Sequence, residues 1–266
     1  MPLTCAEEGR YSRHLVLPGV GIAGQARLKR ARVLVVGAGG LGSPVALYLA
    51  AAGAGTLGIA DADTVEVCNL QRQVLHRTEG AGQRKVDSAA AALRALNPLI
   101  AVLPIPERIT VANALAYCAD YDVVIDGTDN FAARYLLNDA CALAGKPLVF
   151  GSIFRFEGQV AVFDARRGPC YRCLFPDPPP PESAPPCADA GVLGVLPGMI
   201  GTIQANETAK LLLGIGEPLI GRLLCLDALA MRFRELRLAK NPDCPLCGDA
   251  PTITSLIDRD AYRNAP

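Results

Sequence analysis

The chain has 266 residues, of which 51% are hydrophobic, 20% charged and 5% aromatic, enough apolar side chains for a buried core and too few charges for an intrinsically disordered chain. Its 26 Lys and Arg balance 26 Asp and Glu, which leaves no basic field for nucleic acid and no polybasic segment for an anionic membrane.

Residues 3–15 and 22–31 read as short helices leading into the first strand, and Glu7 and Glu8 stand where a secretory signal would need an apolar run. The uncharged stretch 33–60 is long enough to span a membrane, but glycines and Pro44 interrupt it. A strand over 32–38, a helix over 41–52 and a strand over 56–60 account for it better. Residues 83–96 have helical spacing, with Val86, Ala89, Ala90 and Leu93 on one face and Asn97-Pro98 as the stop. A strand over 101–105, a helix over 111–118, a strand over 122–126, a helix over 130–144 and a strand over 147–152 follow. Strands alternating with helices predict an α/β fold, a Rossmann-like, doubly wound and mainly parallel sheet covered on both faces.

Beyond residue 152 the pattern changes. Residues 158–164 alternate as an antiparallel strand does, and seven prolines within 175–186 predict an extended exposed loop. Residues 195–213 read as a long amphipathic helix and 221–238 as two strands, an antiparallel C-terminal extension. The expectation is one domain over 1–266, with a nucleotide-binding half in 1–152 and a second half in 153–266, in a soluble cytoplasmic protein.

Gly37-Ala38-Gly39-Gly40-Leu41-Gly42 follows a strand and opens a helix, the context in which such glycines allow a tight turn, close approach of backbone to phosphate and a helix N-terminus aimed at the anion. Asp61 ends the second strand about 20 residues on, where a carboxylate can accept from ribose hydroxyls. This fingerprint does not separate ATP from a nicotinamide dinucleotide. Residues 61–85 add Asn69-Leu70-Gln71-Arg72-Gln73 and then Arg84-Lys85. A triphosphate carries about four negative charges and needs cations or a metal to offset them. Arg72 and Lys85 fit that need, with Arg84 a weaker candidate, although Lys85 also reads as a solvated helix charge. Asp126-Gly127-Thr128-Asp129-Asn130 closes the fourth strand at the carboxyl edge of the sheet, where Asp129 is placed to hold Mg²⁺ or to cap the next helix, a role Asn130 could equally take.

Of ten cysteines, four form two CxxC pairs, Cys170/Cys173 and Cys244/Cys247, the donor set of a closed, structural Zn²⁺ site. Their separation predicts a clamp tying the C-terminal segment to mid-chain. Cys5, Cys68, Cys118, Cys141 and Cys225 read as small buried hydrophobes. Cys187, after the proline-rich loop, reads either as a thiol used in sulfur transfer or as a packing residue. His14 and His76 are the only histidines, and neither has an evident nucleophile beside it, which weakens a hydrolytic triad.

Together with Arg10-Tyr11-Ser12-Arg13-His14, Asp61-Ala62-Asp63, Cys187-Ala188-Asp189 and Gly201-x-x-Gln204-Ala205-x-Glu207, these motifs resemble, in content and in order from residue 10 to 249, the ubiquitin-activating-enzyme-like adenylyltransferases of the MoeB/ThiF/HesA family. The resemblance is greatest to the molybdopterin-synthase branch and implies a MgATP-dependent enzyme. Such an enzyme adenylates the C-terminal Gly-Gly carboxylate of a small ubiquitin-like sulfur-carrier protein, bound by the second half, and releases pyrophosphate ahead of thiocarboxylate formation. By carry-over the nucleotide site comprises Gly37, Gly39, Gly40, Gly42, Asp61, Asn69, Arg72, Lys85, Asp129 and Asn130. Arg13 reaches the partner subunit's ATP in a homodimer, and Cys187 has a counterpart in the thiamine branch. With no rhodanese segment before Pro266, sulfur comes from a separate donor, a cysteine desulfurase or rhodanese. The molybdenum-cofactor, thiamine and tRNA-thiolation pathways stay open, as does a relative of the tRNA-threonylcarbamoyl dehydratases. A nicotinamide oxidoreductase leaves Arg13, Arg72, Lys85 and both CxxC pairs unexplained, and a non-catalytic docking module leaves the charged nucleotide-site residues without a purpose.

Overall fold

The computed structural model describes residues 2–178 and 191–256. One eight-stranded sheet carries the chain, in the order β3-β2-β1-β4-β5-β6-β7-β8. Its strands are β1 (Arg32–Val36), β2 (Thr56–Ala60), β3 (Ala101–Ile105), β4 (Val123–Asp126), β5 (Leu148–Phe154), β6 (Glu157–Phe163), β7 (Arg222–Asp227) and β8 (Arg232–Arg237). The first five run parallel, with Val35 registered beside Ile59 and Ile125, and the last three are antiparallel. The helices are α1 (Cys5–Arg10), α2 (Ser12–Leu15), α3 (Gly21–Arg30), α4 (Gly42–Ala52), α5 (Lys85–Leu96), α6 (Ala114–Asp120), α7 (Phe131–Ala144), α8 (Tyr171–Leu174) and α9 (Leu196–Leu213).

The alternation of β-branched and aliphatic residues places one core on each face of the sheet. Val33, Val35, Ile59 and Ile125 pack with Val45 and Leu49 of α4, Val86 and Leu93 of α5, and Leu196 and Ile200 of α9. Leu34, Val36, Val124 and Phe150 pack on the other side with Cys118 of α6 and Leu136, Leu137 and Cys141 of α7. The uncharged stretch 33–60 is therefore β1–α4–β2, and no helix among the described residues is long and apolar enough to cross a membrane.

Strand positions follow the sequence expectation within one or two residues, and helices depart from it where side chains intervene. The helix expected over 111–118 begins at Ala114, because the Thr110 N–H donates to Asn113 Oδ1 (2.7 Å) and closes a turn ahead of it. α9 is the long helix expected over 195–213, but it is not amphipathic in its burial. It packs on α3, α4, β5 and β6, and its polar Gln204, Glu207 and Thr208 are buried with its apolar residues. The boundary at 152/153 falls inside β5, so both halves contribute to one sheet. β1 leads out to β2 and β3 on one side, and β4 and β5 continue on the other. This reversal opens a crevice at the carboxyl ends of β1 and β4.

Candidate functional site

The crevice is floored by the loop between β1 and α4. Gly37 has φ +96°, and a Cβ there would sit 2.6 Å from the Gly127 carbonyl oxygen, so only glycine lets the β1 and β4 ends meet. At Gly42 a Cβ would overlap the Gly37 carbonyl, so the entry to α4 is equally restricted. Gly40 faces Pro197 of α9 and the stem of Arg72. The N–H groups of Gly39 and Gly40 bond to no described residue, and they stand at the N-terminus of a helix of 11 residues. Free amide donors and the positive end of the helix dipole together make an anion seat.

Charged residues from three segments border this loop, Asp61 directly, Arg72 through its stem and Lys85 by way of Asp63. Asp61, at the end of β2, accepts from the Ala38 N–H through Oδ2 (2.8 Å) and from the Asp63 N–H through Oδ1 (2.8 Å). Lys85 opens α5; its side chain is only 8% exposed and Nζ lies 3.2 Å from Asp63 Oδ2, so it is not a solvated surface charge. Arg84, by contrast, turns outward to Asp87 (2.6 Å). Arg72 packs its stem against Gly40 and donates from Nη2 to Asn69 Oδ1 (2.8 Å), which fixes its guanidinium.

At the end of β4 the structure settles which residue caps α7. Asn130 Oδ1 accepts from the Ala133 N–H (2.9 Å), and Asp129 is left exposed, its one hydrogen bond among the described residues accepted from Asn130 Nδ2 at 3.4 Å. Beneath it Asp126 is fully buried, accepts from the Thr128 N–H and hydroxyl, and lies 3.5 Å from the guanidinium of Arg134. Burial pushes the Asp126 carboxyl up, against the pull of Arg134.

Arg13 stands elsewhere. Neighbouring Tyr11 packs on Gly53, the C-cap of α4, and accepts from Asn97 beyond α5 (2.8 Å). The glycine loop is at the opposite end of α4, about 16 Å away for a helix of 11 residues. Within one chain Arg13 is exposed and not brought to the crevice. Cys187 lies outside the described residues.

The two CxxC pairs do meet. The Sγ atoms of Cys170, Cys173, Cys244 and Cys247 lie within 4.8 Å of one another, with Cys170–Cys244 at 3.6 Å and Cys173–Cys247 at 3.4 Å. Zn–S bonds of about 2.3 Å place sulfurs about 3.8 Å apart in a tetrahedron, so the cluster fits the ion. As free thiols, burial and the neighbouring sulfurs raise Cys170 well above its ordinary range and push Cys247 up to about 11. Burial also opposes ionisation of Cys244, but the amides of Cys247 and Leu246 outweigh it and bring that thiol down. The first knuckle is anchored through Arg172, which forms a buried bidentate pair with Asp139 of α7 (2.7 and 2.9 Å) and donates to the Pro176 carbonyl (2.8 Å). Of the remaining cysteines, Cys118 and Cys141 are buried as expected, with sulfurs 3.8 Å apart, whereas Cys5 and Cys68 are exposed.

His76, which the sequence offers only as a weak candidate for a hydrolytic triad, takes a different place in the fold. It is buried, donates from Nε2 to the Ala38 carbonyl (2.8 Å) and pairs through Nδ1 with the Ser88 hydroxyl (3.0 Å); burial lowers its pKa. Its place three residues beyond Asn69–Gln73 was the available signal.

The sequence matches the ThiF family over residues 11–246. The chain belongs to the ThiF family. Among its relatives, the sulfur carrier protein adenylyltransferase of Thermus thermophilus is 55% identical, the alignment covering 98% of each chain. The adenylyltransferase and sulfurtransferase MOCS3 of Sus scrofa is 54% identical over 95% of this chain, which spans 56% of that protein. The probable adenylyltransferase/sulfurtransferase MoeZ of Mycobacterium tuberculosis is 51% identical over 98% of this chain, which spans 66% of it. Among solved structures, that of Escherichia coli MccB superposes with a TM-score of 0.79 at 22% identity, covering 92% of this chain and 73% of MccB, a likeness of fold. For a ThiF-family chain, the crevice at β1 and β4 and the four-cysteine cluster are the two sites to explain.

Proposed function

We propose that this chain is an adenylyltransferase that uses ATP to activate the C-terminal carboxylate of a ubiquitin-like sulfur-carrier protein. The observation that carries the reading is a glycine loop whose Gly39 and Gly40 amides bond to no described residue, with the stem of Arg72 against Gly40 and the buried Lys85 tied to the loop through Asp63 and Asp61. Relatives named as adenylyltransferases over nearly the whole of this chain support the substrate class. A carboxylate oxygen of the carrier attacks the α-phosphorus, the bond to the β-phosphate oxygen breaks, and pyrophosphate leaves with the electron pair. The loop amides, Arg72 and Lys85 hold the phosphates in line and offset the charge that grows on them. Mg²⁺ held by Asp129 would neutralise phosphate charge. Zn²⁺ held by the four cysteines would be structural, since four protein ligands leave no open position. The acyl-adenylate is the precursor of a thiocarboxylate, formed with sulfur from a separate donor in a molybdopterin, thiamine or tRNA-thiolation pathway. Arg13, at the far end of α4 from its own crevice, serves the site of a second copy in a homodimer.

The test is ATP–pyrophosphate exchange with candidate carriers added one at a time. Exchange that requires both a carrier and its terminal Gly-Gly supports the reading. Hydride transfer from a nicotinamide cofactor, with no exchange for any carrier, overturns it.

A further inference from the structure

The contacts around Ala38 form a closed circuit. The Ala38 N–H donates to Asp61 Oδ2 (2.8 Å), and Asp61 Oδ1 accepts from the Asp63 N–H (2.8 Å). The Asp63 carbonyl then accepts from the Lys85 N–H (2.9 Å), and Ser88 follows one turn along α5. The Ser88 hydroxyl meets His76 Nδ1 at 3.0 Å, and His76 Nε2 returns to the Ala38 carbonyl at 2.8 Å. A carbonyl only accepts, so Nε2 carries the proton and Nδ1 accepts from the Ser88 hydroxyl. The imidazole is 6% exposed and is the only side chain, among the described residues, that bonds to the Ala38 carbonyl.

The peptide joining Ala38 to Gly39 is trans, so the Gly39 N–H points away from the Ala38 carbonyl. With that carbonyl held inward by a buried ring, the Gly39 N–H is turned to the opposite, partly open side, where it has no partner among the described residues. A donor on the carbonyl also polarises the amide and strengthens its N–H as a donor. The same ring ties the glycine loop to the first turn of α5, which carries Lys85.

We infer that His76 is a positioning residue for nucleotide phosphate, fixing the Ala38–Gly39 peptide so that the Gly39 amide and the Lys85 ammonium face one anion together. This rests on the reading of the crevice as an ATP site. It assigns His76 neither a proton-transfer role nor contact with the nucleotide.

Glutamine and asparagine separate the two ring nitrogens, because the glutamine amide nitrogen falls near Nε2 and that of asparagine near Nδ1. MgATP binding by titration calorimetry, exchange kinetics and thermal melting are measured on the wild type, His76→Gln, His76→Asn and Ser88→Ala. His76→Asn is expected to weaken MgATP binding and raise KM for ATP about tenfold, with kcat changed less than about threefold. His76→Gln recovers most of that affinity, and Ser88→Ala, with a normal melting temperature, weakens it about two- to threefold. Unchanged affinity in folded His76→Asn or Ser88→Ala overturns the inference. So does a His76→Gln variant as weak as His76→Asn, which would make the ring a packing element. A wild type that binds no MgATP removes the ATP reading itself, whereas a wild type that binds while His76→Asn binds equally well removes only the role of His76.

Discussion

Asp129 and Asn130 are neighbours of similar size, and the structure divides their work. Asn130 spends its side-chain oxygen on the Ala133 amide, and Asp129 keeps an exposed carboxylate at the end of β4 with only a long bond from Asn130 Nδ2 among the described residues. Asp129→Asn is therefore expected to lower carrier-dependent exchange by about a hundredfold with an unchanged melting temperature, as loss of a charged contact to a transition state does. Asn130→Ala should instead cost about 1 kcal/mol of stability through the lost cap, read as a lower melting temperature. A normal exchange rate in Asp129→Asn would remove that residue from the site. Glu7 makes a different, pH-dependent case. The hydrogen bond from Lys29 (2.7 Å) holds its carboxyl below the usual range despite burial, and the carboxylate closes the capping box with Thr4. With the folded pKa depressed, its contribution is present above the unfolded value and lost as pH falls through the lower folded one. Glu7→Gln should thus melt earlier than the wild type at neutral pH, the gap closing on acidification. A gap that persists at low pH would assign the effect to packing.

At the scale of elements, the four-cysteine cluster bears on α7 as well as on the C-terminal segment. Arg172 sits between Cys170 and Cys173 and pairs with Asp139, on the same helix that Asn130 caps beside Asp129. Cys244→Ser, or removal of metal by a chelator, is expected to lower metal content and melting temperature together, because metal binding is linked to folding. A metal-free protein of full stability would exclude a structural zinc. This pairing also marks the limit of what the sequence reveals. β1 to β5, the glycine loop and the thiol set are legible because each depends on residues close in sequence or on a repeating pattern. The Arg172–Asp139 pair, the His76 circuit and the buried polar side of α9 depend on partners brought together by the sheet order. Gln204 enters the sequence reading only as part of a motif, whereas in the fold its amide donates to the Asp126 and Val149 carbonyls (2.9 and 3.1 Å). Lys85 was ambiguous for the same reason, since only the neighbouring loop shows that it is buried.

At the scale of the whole molecule, Arg13 is exposed and away from the crevice of its own chain, and the proposed homodimer is what would bring it to a site. A mixture of Arg13→Ala and Lys85→Ala, each inactive alone, should regain partial exchange activity after subunit exchange, since one site of the mixed dimer then has both residues. Continued inactivity despite demonstrated mixing would place Arg13 outside the site. The thiol cluster adds an ordering in time. Cys170 and Cys244 are 74 residues apart, and among the described residues the last strand ends at Arg237. At about 5–20 residues per second of synthesis, the first pair of sulfurs waits roughly 4–15 s for the second. The eight described strands are already translated when the second pair is made, so closure of the cluster can follow but not precede synthesis of that sheet. Ribosome-stalled chains ending at 240 should then retain two reactive thiols at Cys170 and Cys173, and chains extended past Cys247 should protect them when zinc is supplied. Equal reactivity in the two would show that the cluster plays no part in completing the nascent fold.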